Sequence, residues 1–176
     1  MRIRHGGPTD FDAVLTLGDE AVAWMNARGN TTQWGTGPWT GNDRRMQVVR
    51  GYMNNGGVRI AETDEGRDDG ASAVVGVLVA SQQRATYAPH PGEPELYVNL
   101  LMTSRRHGHR GIGAALIDEA KAMAAELGVD LIRVDCWSGE EGNLVRVYEG
   151  YGFKQVDQFL VGVWPGTLLA MRLSEQ

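Results

Sequence analysis

The stretch from Arg105 to Leu116 has residue types and spacing suited to binding an anion. It reads Arg-Arg-His-Gly-His-Arg-Gly-Ile-Gly-Ala-Ala-Leu, with three arginines and three glycines. A strand-like run, Leu96–Met102, precedes it, and apolar residues at helical spacing follow from Ala114 to Leu127. Glycines let the main chain approach a ligand, and the first N–H groups of a helix are unpaired at the positive end of its dipole. The stretch therefore predicts an anion-binding turn between a strand and a helix.

Two common nucleotide-binding patterns are absent from this turn. The phosphate loop needs Gly, four residues and then Gly-Lys-Ser/Thr, and the dinucleotide fingerprint needs Gly-x-Gly-x-x-Gly. Gly108, Gly111 and Gly113 instead have the reverse spacing, Gly-x-x-Gly-x-Gly. The missing Lys-Ser/Thr and the lack of metal-binding carboxylates near the turn argue against a generic ATP or sugar-phosphate binder. An ordinary glycine-bearing turn is the remaining alternative from these residues alone.

The turn resembles the pyrophosphate loop of the GNAT family of N-acetyltransferases, where Arg/Gln-x-x-Gly-x-Gly/Ala holds the diphosphate of acetyl-CoA. Gly108 occupies the Arg/Gln position here, and the connection from Met102 is one residue longer than usual, so Arg105 or Arg106 would supply the side-chain charge. The resemblance implies that acetyl-CoA is the cosubstrate. It also implies that the diphosphate is held by Arg106, Gly108, His109, Arg110, Gly111, Ile112, Gly113 and Ala114.

A second motif supports this resemblance. Leu-Val-Arg-Val-Tyr148-Glu-Gly-Tyr151-Gly-Phe is similar to the family's Tyr-x-x-x-Gly-Phe ending, which implies that Tyr148 is the general acid for the coenzyme A thiolate. Packing on the strand beneath is the alternative for Tyr148, and Tyr151 is interpreted as a packing residue. The family carries an Asn about two helical turns before this Tyr. Glu141 stands at that place, so the nearer Asn143 is the candidate contact to the pantetheine arm.

The strand before the turn has a role that the resemblance assigns to its main chain. In the family this strand splays from its neighbour and pairs with the pantetheine arm. That role falls on Leu100, Leu101 and Met102, with the Met102 N–H meeting the thioester oxygen. Because main-chain groups make these contacts, the side chains there are free to vary.

The acceptor amine must lose a proton before it attacks, so a base or a water relay is needed. Glu95 opens the strand near where several relatives carry a catalytic Glu, and it is the candidate base; a solvated strand-start residue is the alternative. Asp135, at the C-terminal end of a parallel strand, would hold the substrate's ammonium group. Trp34 and Trp39, in a glycine-rich loop, would line the acceptor pocket or else cap the core. We predict no metal site and interpret Cys136 as a buried apolar residue.

The chemical groups are positioned by a predicted order β-α-α-β-β-β-α-β-α-β-β. This order predicts a mixed α/β fold, with a mostly antiparallel sheet flanked by helices and one parallel βαβ step, as in the GNAT fold. The segments are Arg2–His5, Phe11–Arg28 (with Thr9 as its N-cap), Asp43–Met53 (capped by Asn42), Val58–Thr63, Ser72–Ser81, Glu95–Thr103, Ala114–Leu127, Leu131–Trp137, Asn143–Gly150, Lys154–Val163 and Thr167–Leu173. An acidic loop, Asp64–Gly70, and a turn at Trp164-Pro165-Gly166 complete the prediction.

Bulk properties narrow the functional classes. The 176 residues suit one domain, 1–176, and the net charge of −5 argues against non-specific nucleic-acid binding. No run approaches the roughly 20 apolar residues that cross a bilayer, and the N-terminus lacks the apolar core of a signal peptide. We therefore expect a cytoplasmic protein with no nucleic-acid or membrane partner. A homodimer, through the C-terminal hairpin or a sheet edge, is left open.

The hypothesis that unites these observations is an N-acetyltransferase that moves an acetyl group from acetyl-CoA to a small amine by direct attack. Antibiotics, polyamines and amino acids are the candidate acceptors, since Trp24, Gln33-Trp34 and the Asp135-Cys-Trp strand end resemble a bacterial branch that acts on small molecules. A protein N-terminus or lysine is the second choice. The alternative of another class is an acyl-CoA-binding sensor or partner module without turnover.

Overall fold

The computed structural model describes residues 1–64, 72–107 and 110–175. Most of the predicted acidic loop Asp64–Gly70 lies outside the described residues. The strands are β1 Arg2–His5, β2 Val58–Thr63, β3 Ala73–Ser81, β4 Glu95–Thr103, β5 Leu131–Trp137, β6 Lys154–Val161 and β7 Trp164–Arg172. The α-helices are α1 Phe11–Asn26, α2 Asp43–Asn54, α3 Ile112–Leu127 and α4 Asn143–Gly150, and short 3-10 turns cover Pro8–Asp10, Glu140–Gly142 and Leu173–Glu175.

Within the described residues, seven strands form one sheet in the order β1-β2-β3-β4-β5-β7-β6. The pairs β1–β2, β2–β3, β5–β7 and β6–β7 are antiparallel. The pair β4–β5 is parallel, with a register that runs from Glu95–Leu131 to Val98–Val134, and α3 is the crossover. The predicted mixed, mostly antiparallel fold with one βαβ step is confirmed. No helix among the described residues has both the length and the apolar character needed to cross a membrane.

The chain divides into two compact units: Met1–Val79 with Leu100–Leu116, and Ala80–Asn99 with Ile117–Gln176. The first unit has a continuous apolar core in which α1 and α2 contribute Val14, Val22, Val49 and Met53, and β2 and β3 contribute Val58, Ile60, Val77 and Val79. Every residue from Val75 to Ala80 is buried, as predicted for a central strand. The second unit has its own small cluster of Ala88, Tyr97 and Leu168, flanked by Phe159.

Two local predictions are wrong. Thr9 is not the N-cap of α1: a 3-10 turn precedes the helix and Asp10 occupies that position, with its Oδ2 accepting the Gly7 N–H at 2.9 Å. The hairpin turn is not Trp164–Gly166. It falls at Gly162–Val163, where Gly162 has φ +61°, and Trp164 already pairs with Val161 on β6. The pairing register overrides the turn signal of Pro165-Gly166.

Gly18, inside α1, is required for packing. A Cβ at Gly18 would lie 2.4 Å from Cε3 and 2.5 Å from Cδ2 of Trp39, so the indole ring rests directly on the helix main chain. The sequence alone marks this glycine only as a weak point in a helix, since glycine lowers helix propensity. Its role depends on a ring 21 positions further along the chain, where Trp39 is 4% exposed.

We predict that Gly18→Ala lowers the free energy of unfolding by about 1–3 kcal/mol, because overpacking against Trp39 outweighs the gain in helix propensity. Gly51→Ala in α2 is the matched control: no atom lies within 4 Å of its Cβ position, and it should stabilise by up to about 1 kcal/mol. Urea unfolding measures both. Equal stabilisation by the two substitutions would contradict the packing role of Gly18.

Candidate active site

In the first unit, α3 begins at Ile112, two residues earlier than predicted, directly after the turn. Gly111 precedes it with φ +71°, and its carbonyl accepts the Ala115 N–H at 3.0 Å. The first turn of α3 approaches the sheet closely because β3 has Gly76 beneath it. A Cβ there would lie 2.8 Å from Ile112 Cγ2. The predicted strand-to-helix turn is therefore present, with its helix N-terminus seated against β3.

Glu20 on α1 holds the start of this turn. Its Oε1 accepts the Arg106 main-chain N–H at 2.9 Å and the Ser104 hydroxyl at 3.1 Å. Ser104 is 4% exposed, and its Oγ also lies 3.1 Å from His107 Nδ1. A carboxylate thus shapes the main chain of the turn while the Arg106 side chain remains exposed to solvent. Sequence reasoning missed Glu20, which is 84 positions from Ser104 and belongs to no motif.

The two arginines that were alternatives for the missing Arg/Gln differ in their surroundings. The Arg105 guanidinium lies 4.3 Å from the ring centroid of Trp24 on α1, and Arg28 lies 4.1 Å from the same ring. Such contacts hold a cation in place while it stays exposed. Arg106 and Arg110 are exposed, and Gly108 and His109 lie outside the described residues. The exposed positive charges at a helix N-terminus fit an anionic ligand such as a diphosphate.

The two tryptophans predicted to line an acceptor pocket have different positions. Trp39 is a core residue of the first unit, and the N–H groups of Trp39 and Thr40 donate to Asp19 Oδ1 at 2.6 and 3.0 Å. Its assignment to the pocket is wrong, because the ring is buried on α1. Trp34 is half-buried, with its ring centroid 5.1 Å from that of Trp39. Its contact with substrate stays a prediction.

In the second unit, Tyr148 lies in α4 and is 6% exposed. Its ring packs edge-on against Tyr151, with centroids 6.1 Å apart, and against Phe153, 5.8 Å apart. Burial raises the pKa of the Tyr148 phenol well above its ordinary 10, with further contributions from Cys136 and Asp135. The side chain is therefore a neutral O–H donor at physiological pH. Cys136 is buried as predicted, and burial raises the pKa of its thiol to about 12.

Glu95 is in a buried ion pair. Its Oε2 accepts from Arg133 Nε at 2.6 Å and its Oε1 from Arg133 Nη2 at 2.9 Å, and both residues are 5% exposed. Arg133 Nη2 also donates to the Pro89 carbonyl at 2.8 Å. A carboxylate with both oxygens bound to a guanidinium is poorly suited to take a proton from an amine. The geometry argues against Glu95 as the general base and against a solvated position, and it indicates a structural role.

Asp135, near the C-terminal end of β5, accepts hydrogen bonds from two phenols. Tyr97 on β4 donates to Oδ1 at 2.5 Å, and Tyr87, from the connection between β3 and β4, donates to Oδ2 at 2.9 Å. Tyr97 is 1% exposed, and burial together with the Asp135 charge raises the pKa of its phenol. The Tyr97 phenol therefore stays protonated and donates to Asp135. No cation among the described residues forms an ion pair with Asp135.

The segment before α4 differs from the family pattern that the sequence suggested. Glu141 has φ 57° and Gly142 has φ 73°, so two consecutive left-handed residues lead into the helix. Arg146 donates to the Glu141 carbonyl at 2.6 Å and to the Asn143 Oδ1. Asn143 is exposed at the first position of α4. Its oxygen thus accepts a hydrogen bond that stabilises the start of α4. The contact of Asn143 to a pantetheine arm stays a prediction.

A family model described as "Acetyltransferase (GNAT) domain" matches residues 50–163. That match spans more than half of the chain. The chain belongs to the GNAT acetyltransferase family. As a member of this family it is an acetyl-CoA-dependent N-acetyltransferase, with acetyl-CoA as its cosubstrate. No curated protein sequence matches it significantly.

Solved structures share the GNAT fold with this chain at low sequence identity. A GNAT-family acetyltransferase from Listeria monocytogenes superposes with a TM-score of 0.71 at 20% identity, over 98% of this chain and 94% of that one. A putative acetyltransferase from Salmonella typhimurium, solved with its cofactor acetyl-CoA, gives 0.63 at 17% identity over 98% and 94%. The ribosomal-protein-alanine N-acetyltransferase of Brucella melitensis gives 0.61 at 19% identity over 98% and 100%.

The strand that GNAT members use for the pantetheine arm changes character along its length. In β4 the residues Glu95–Val98 are buried and paired with β5, whereas Asn99, Leu100 and Leu101 are half-buried and Met102 is buried in the first unit's core. The pairing register with β5 runs as far as Val98, and β4 continues for five residues to Thr103. The main-chain roles of Leu100, Leu101 and Met102 remain predictions.

We predict that Glu20→Gln raises the KM for acetyl-CoA about tenfold with little change in kcat, because a neutral acceptor holds the turn less firmly than a carboxylate. Steady-state kinetics at saturating amine measures this. Asp12→Asn, an exposed acid on the same helix, is the control and should leave KM unchanged. A fall in kcat at constant KM would contradict the positioning role.

We predict that Glu95→Gln lowers the free energy of unfolding by about 3–5 kcal/mol, because it leaves the Arg133 guanidinium buried without its carboxylate. Glu93→Gln breaks a solvent-exposed pair with Arg172 and should cost far less. Denaturant unfolding compares the two variants. A Glu95→Gln enzyme of normal stability that has lost turnover would instead restore Glu95 as the general base.

Proposed function

We propose that this GNAT member acetylates the primary amine of a small molecule by direct attack on the thioester, with Tyr148 as general acid. The observation that carries the proposal is the buried, neutral Tyr148 phenol in the second unit, which also contains the Asp135 carboxylate. Membership of the family supplies the reaction class, and these two side chains supply the groups that the reaction needs. The assignment to small molecules is an inference from the second unit's polar groups.

On the donor side, the glycine turn of the first unit binds the diphosphate. Arg105, Arg106 and Arg110 provide positive charge at its surface, and Gly111 lets the main chain enter α3, whose first N–H groups have no acceptor within the helix. Acetyl-CoA supplies the activated acetyl group. The main chain of Leu100, Leu101 and Met102 pairs with the pantetheine arm and orients the carbonyl, and Asn143 adds a side-chain contact.

At the leaving group, Tyr148 donates its phenolic proton to the sulfur as the C–S bond breaks. A general acid must begin the reaction protonated, and the raised pKa of Tyr148 ensures this at every physiological pH. Coenzyme A leaves as a neutral thiol, and the tyrosinate then recovers a proton from solvent. Burial disfavours the tyrosinate, so it makes Tyr148 a weaker acid than a free phenol and also favours reprotonation after the transfer.

On the acceptor side, Asp135 binds the ammonium form of the substrate. Tyr87 and Tyr97 donate to its two oxygens and fix their orientation, while a carboxylate retains further lone-pair directions for an ammonium ion. The ammonium loses one proton to water, its nitrogen then forms the new C–N bond, and a second N–H proton leaves to water as the amide forms. Because Glu95 is bound to Arg133, a water relay is the proposed route for this proton.

An acyl-CoA-binding module without turnover is the alternative of another class. Such a module has no use for a buried phenol that can protonate a thiolate, so the position of Tyr148 favours catalysis. Acetylation of a protein N-terminus or lysine is the alternative within the class. Asp135 with its two phenols offers one carboxylate to an ammonium group, and a small amine needs no further anchor for an extended chain.

We predict that Tyr148→Phe lowers kcat by about 100-fold or more at unchanged affinity for acetyl-CoA, because only the proton donor is lost. Thiol release measures turnover, and calorimetry measures acetyl-CoA binding. Tyr151→Phe is the matched control, since Tyr151 packs against the same ring. Equal rates for the two variants would remove Tyr148 from the mechanism, and acetyl-CoA binding without thiol release on any amine would favour the binding module.

A further inference from the structure

Three aromatic side chains from separate segments of the second unit stack in a strip that ends at Asp135. Tyr87 precedes β4, Phe159 lies in β6 and Trp164 begins β7. The ring centroids of Tyr87 and Phe159 are 5.2 Å apart with an angle of 32°, and those of Phe159 and Trp164 are 6.2 Å apart with an angle of 34°. The Tyr87 hydroxyl donates to Asp135. An apolar surface and a carboxylate are therefore joined through one side chain.

The strip packs on β7 where Gly166 has no side chain. A Cβ at Gly166 would lie 2.4 Å from Phe159 Cζ and 2.7 Å from Trp164 Cζ3, so these two rings cover the main chain of the strand. They remain accessible to solvent: Phe159 and Trp164 are half-buried, and Tyr87 is 46% exposed. Phe159 also packs against the core cluster of the second unit, so the strip presents aromatic surface on a fixed support.

The carboxylate that is hydrogen-bonded to the strip is Asp135, through the Tyr87 hydroxyl. Three other carboxylates of this unit are paired with arginines: Glu95 with Arg133, and Glu93 and Asp130 with Arg172. Within the described residues, Asp135 receives only the two phenolic hydroxyls. A carboxylate on the ligand close to its amine would be repelled by Asp135.

We propose that the acceptor is a primary monoamine that carries an aromatic or similarly flat apolar group a few bonds from its nitrogen. The ammonium binds Asp135 between the hydroxyls of Tyr87 and Tyr97, and the flat group stacks on Tyr87, Phe159 and Trp164. The inference rests on the proposed acetyl transfer and specifies its acceptor. It disfavours polyamines, which have no flat group to stack on the strip, and free amino acids, which carry a carboxylate next to the amine.

The test compares initial rates of thiol release from acetyl-CoA with four amines: phenylethylamine, ethylamine, spermidine and phenylalanine. We expect kcat/KM for phenylethylamine to exceed each of the others at least about tenfold, since burial of one ring on the strip is enough for that factor. Asp135→Asn should raise the KM for phenylethylamine strongly while the KM for acetyl-CoA stays constant. That split separates loss of ammonium binding from a general loss of structure.

Substitutions in the strip test its contribution to the preference for an aromatic amine separately from ammonium binding by Asp135. Trp164→Leu should bring the phenylethylamine-to-ethylamine ratio towards one, whereas Trp164→Tyr, which keeps a ring, should preserve most of the preference. Leu160→Ala is the matched control, because Leu160 lies on β6 outside the strip and is 71% exposed; its ratio should equal that of the wild type. Thermal unfolding of each variant identifies any that is misfolded. If Trp164→Leu is misfolded, the phenylethylamine-to-ethylamine ratio of Trp164→Tyr is compared with that of Leu160→Ala instead.

The outcomes separate the two proposals. Turnover without preference for the aromatic amine, or with preference for spermidine or for peptide amines, would overturn the acceptor class and leave acetyl transfer intact. Acetyl-CoA binding without thiol release on any amine would overturn the proposed function, and the acceptor inference with it. Preference for phenylethylamine that survives Trp164→Leu in a folded enzyme would overturn the role of the strip.

Discussion

The buried ion pair between Glu95 and Arg133 is the interaction on which the second unit, with the proposed acceptor site at Asp135, depends. It joins the first residue of β4 to the middle of β5 inside the parallel ladder, where Tyr97 stands opposite Arg133. Side chains on a strand alternate between faces, so Tyr97 and Asp135, each two positions further along, lie on the same face as the pair. The hydrogen bond from Arg133 to the Pro89 carbonyl then holds the segment that carries Tyr87.

The two units differ in the sign of the charge that they leave for a ligand. In the first, Glu20 binds main-chain and hydroxyl donors of the glycine turn and leaves the arginine side chains exposed for an anion. In the second, Arg133 is paired with Glu95, and Arg172 is paired with Glu93 and Asp130. Asp135 has no arginine partner among the described residues. The proposed transfer from an anionic donor to a cationic acceptor uses both arrangements: hydrogen bonds occupy the Glu20 carboxylate in the first unit, and ion pairs occupy carboxylates in the second.

Three tyrosines of the second unit differ in role because their surroundings differ. Tyr148 is buried in α4, and burial keeps its phenol protonated, as its proposed role as general acid requires. Tyr97 is equally buried but donates to Asp135, so it orients a carboxylate. Tyr87 makes the same bond from an exposed position and offers its ring to solvent. Glycines support the arrangement, since Gly76 and Gly166 admit side chains where a Cβ would collide.

The sequence by itself determined the order of elements, the parallel βαβ step, the Asn42 cap of α2 and the glycine turn into α3, because each depends on residues close together along the chain. It also identified Tyr148, Asp135 and Glu95 as the groups to examine. Only the tertiary structure decided their partners. Alternation assigns a residue to a face of a strand, but the register between strands distant in sequence decides which side chain it meets. Glu95 meets Arg133 across 38 positions, Tyr87 meets Asp135 across 48, and Trp39 is buried because Gly18 leaves room for its ring.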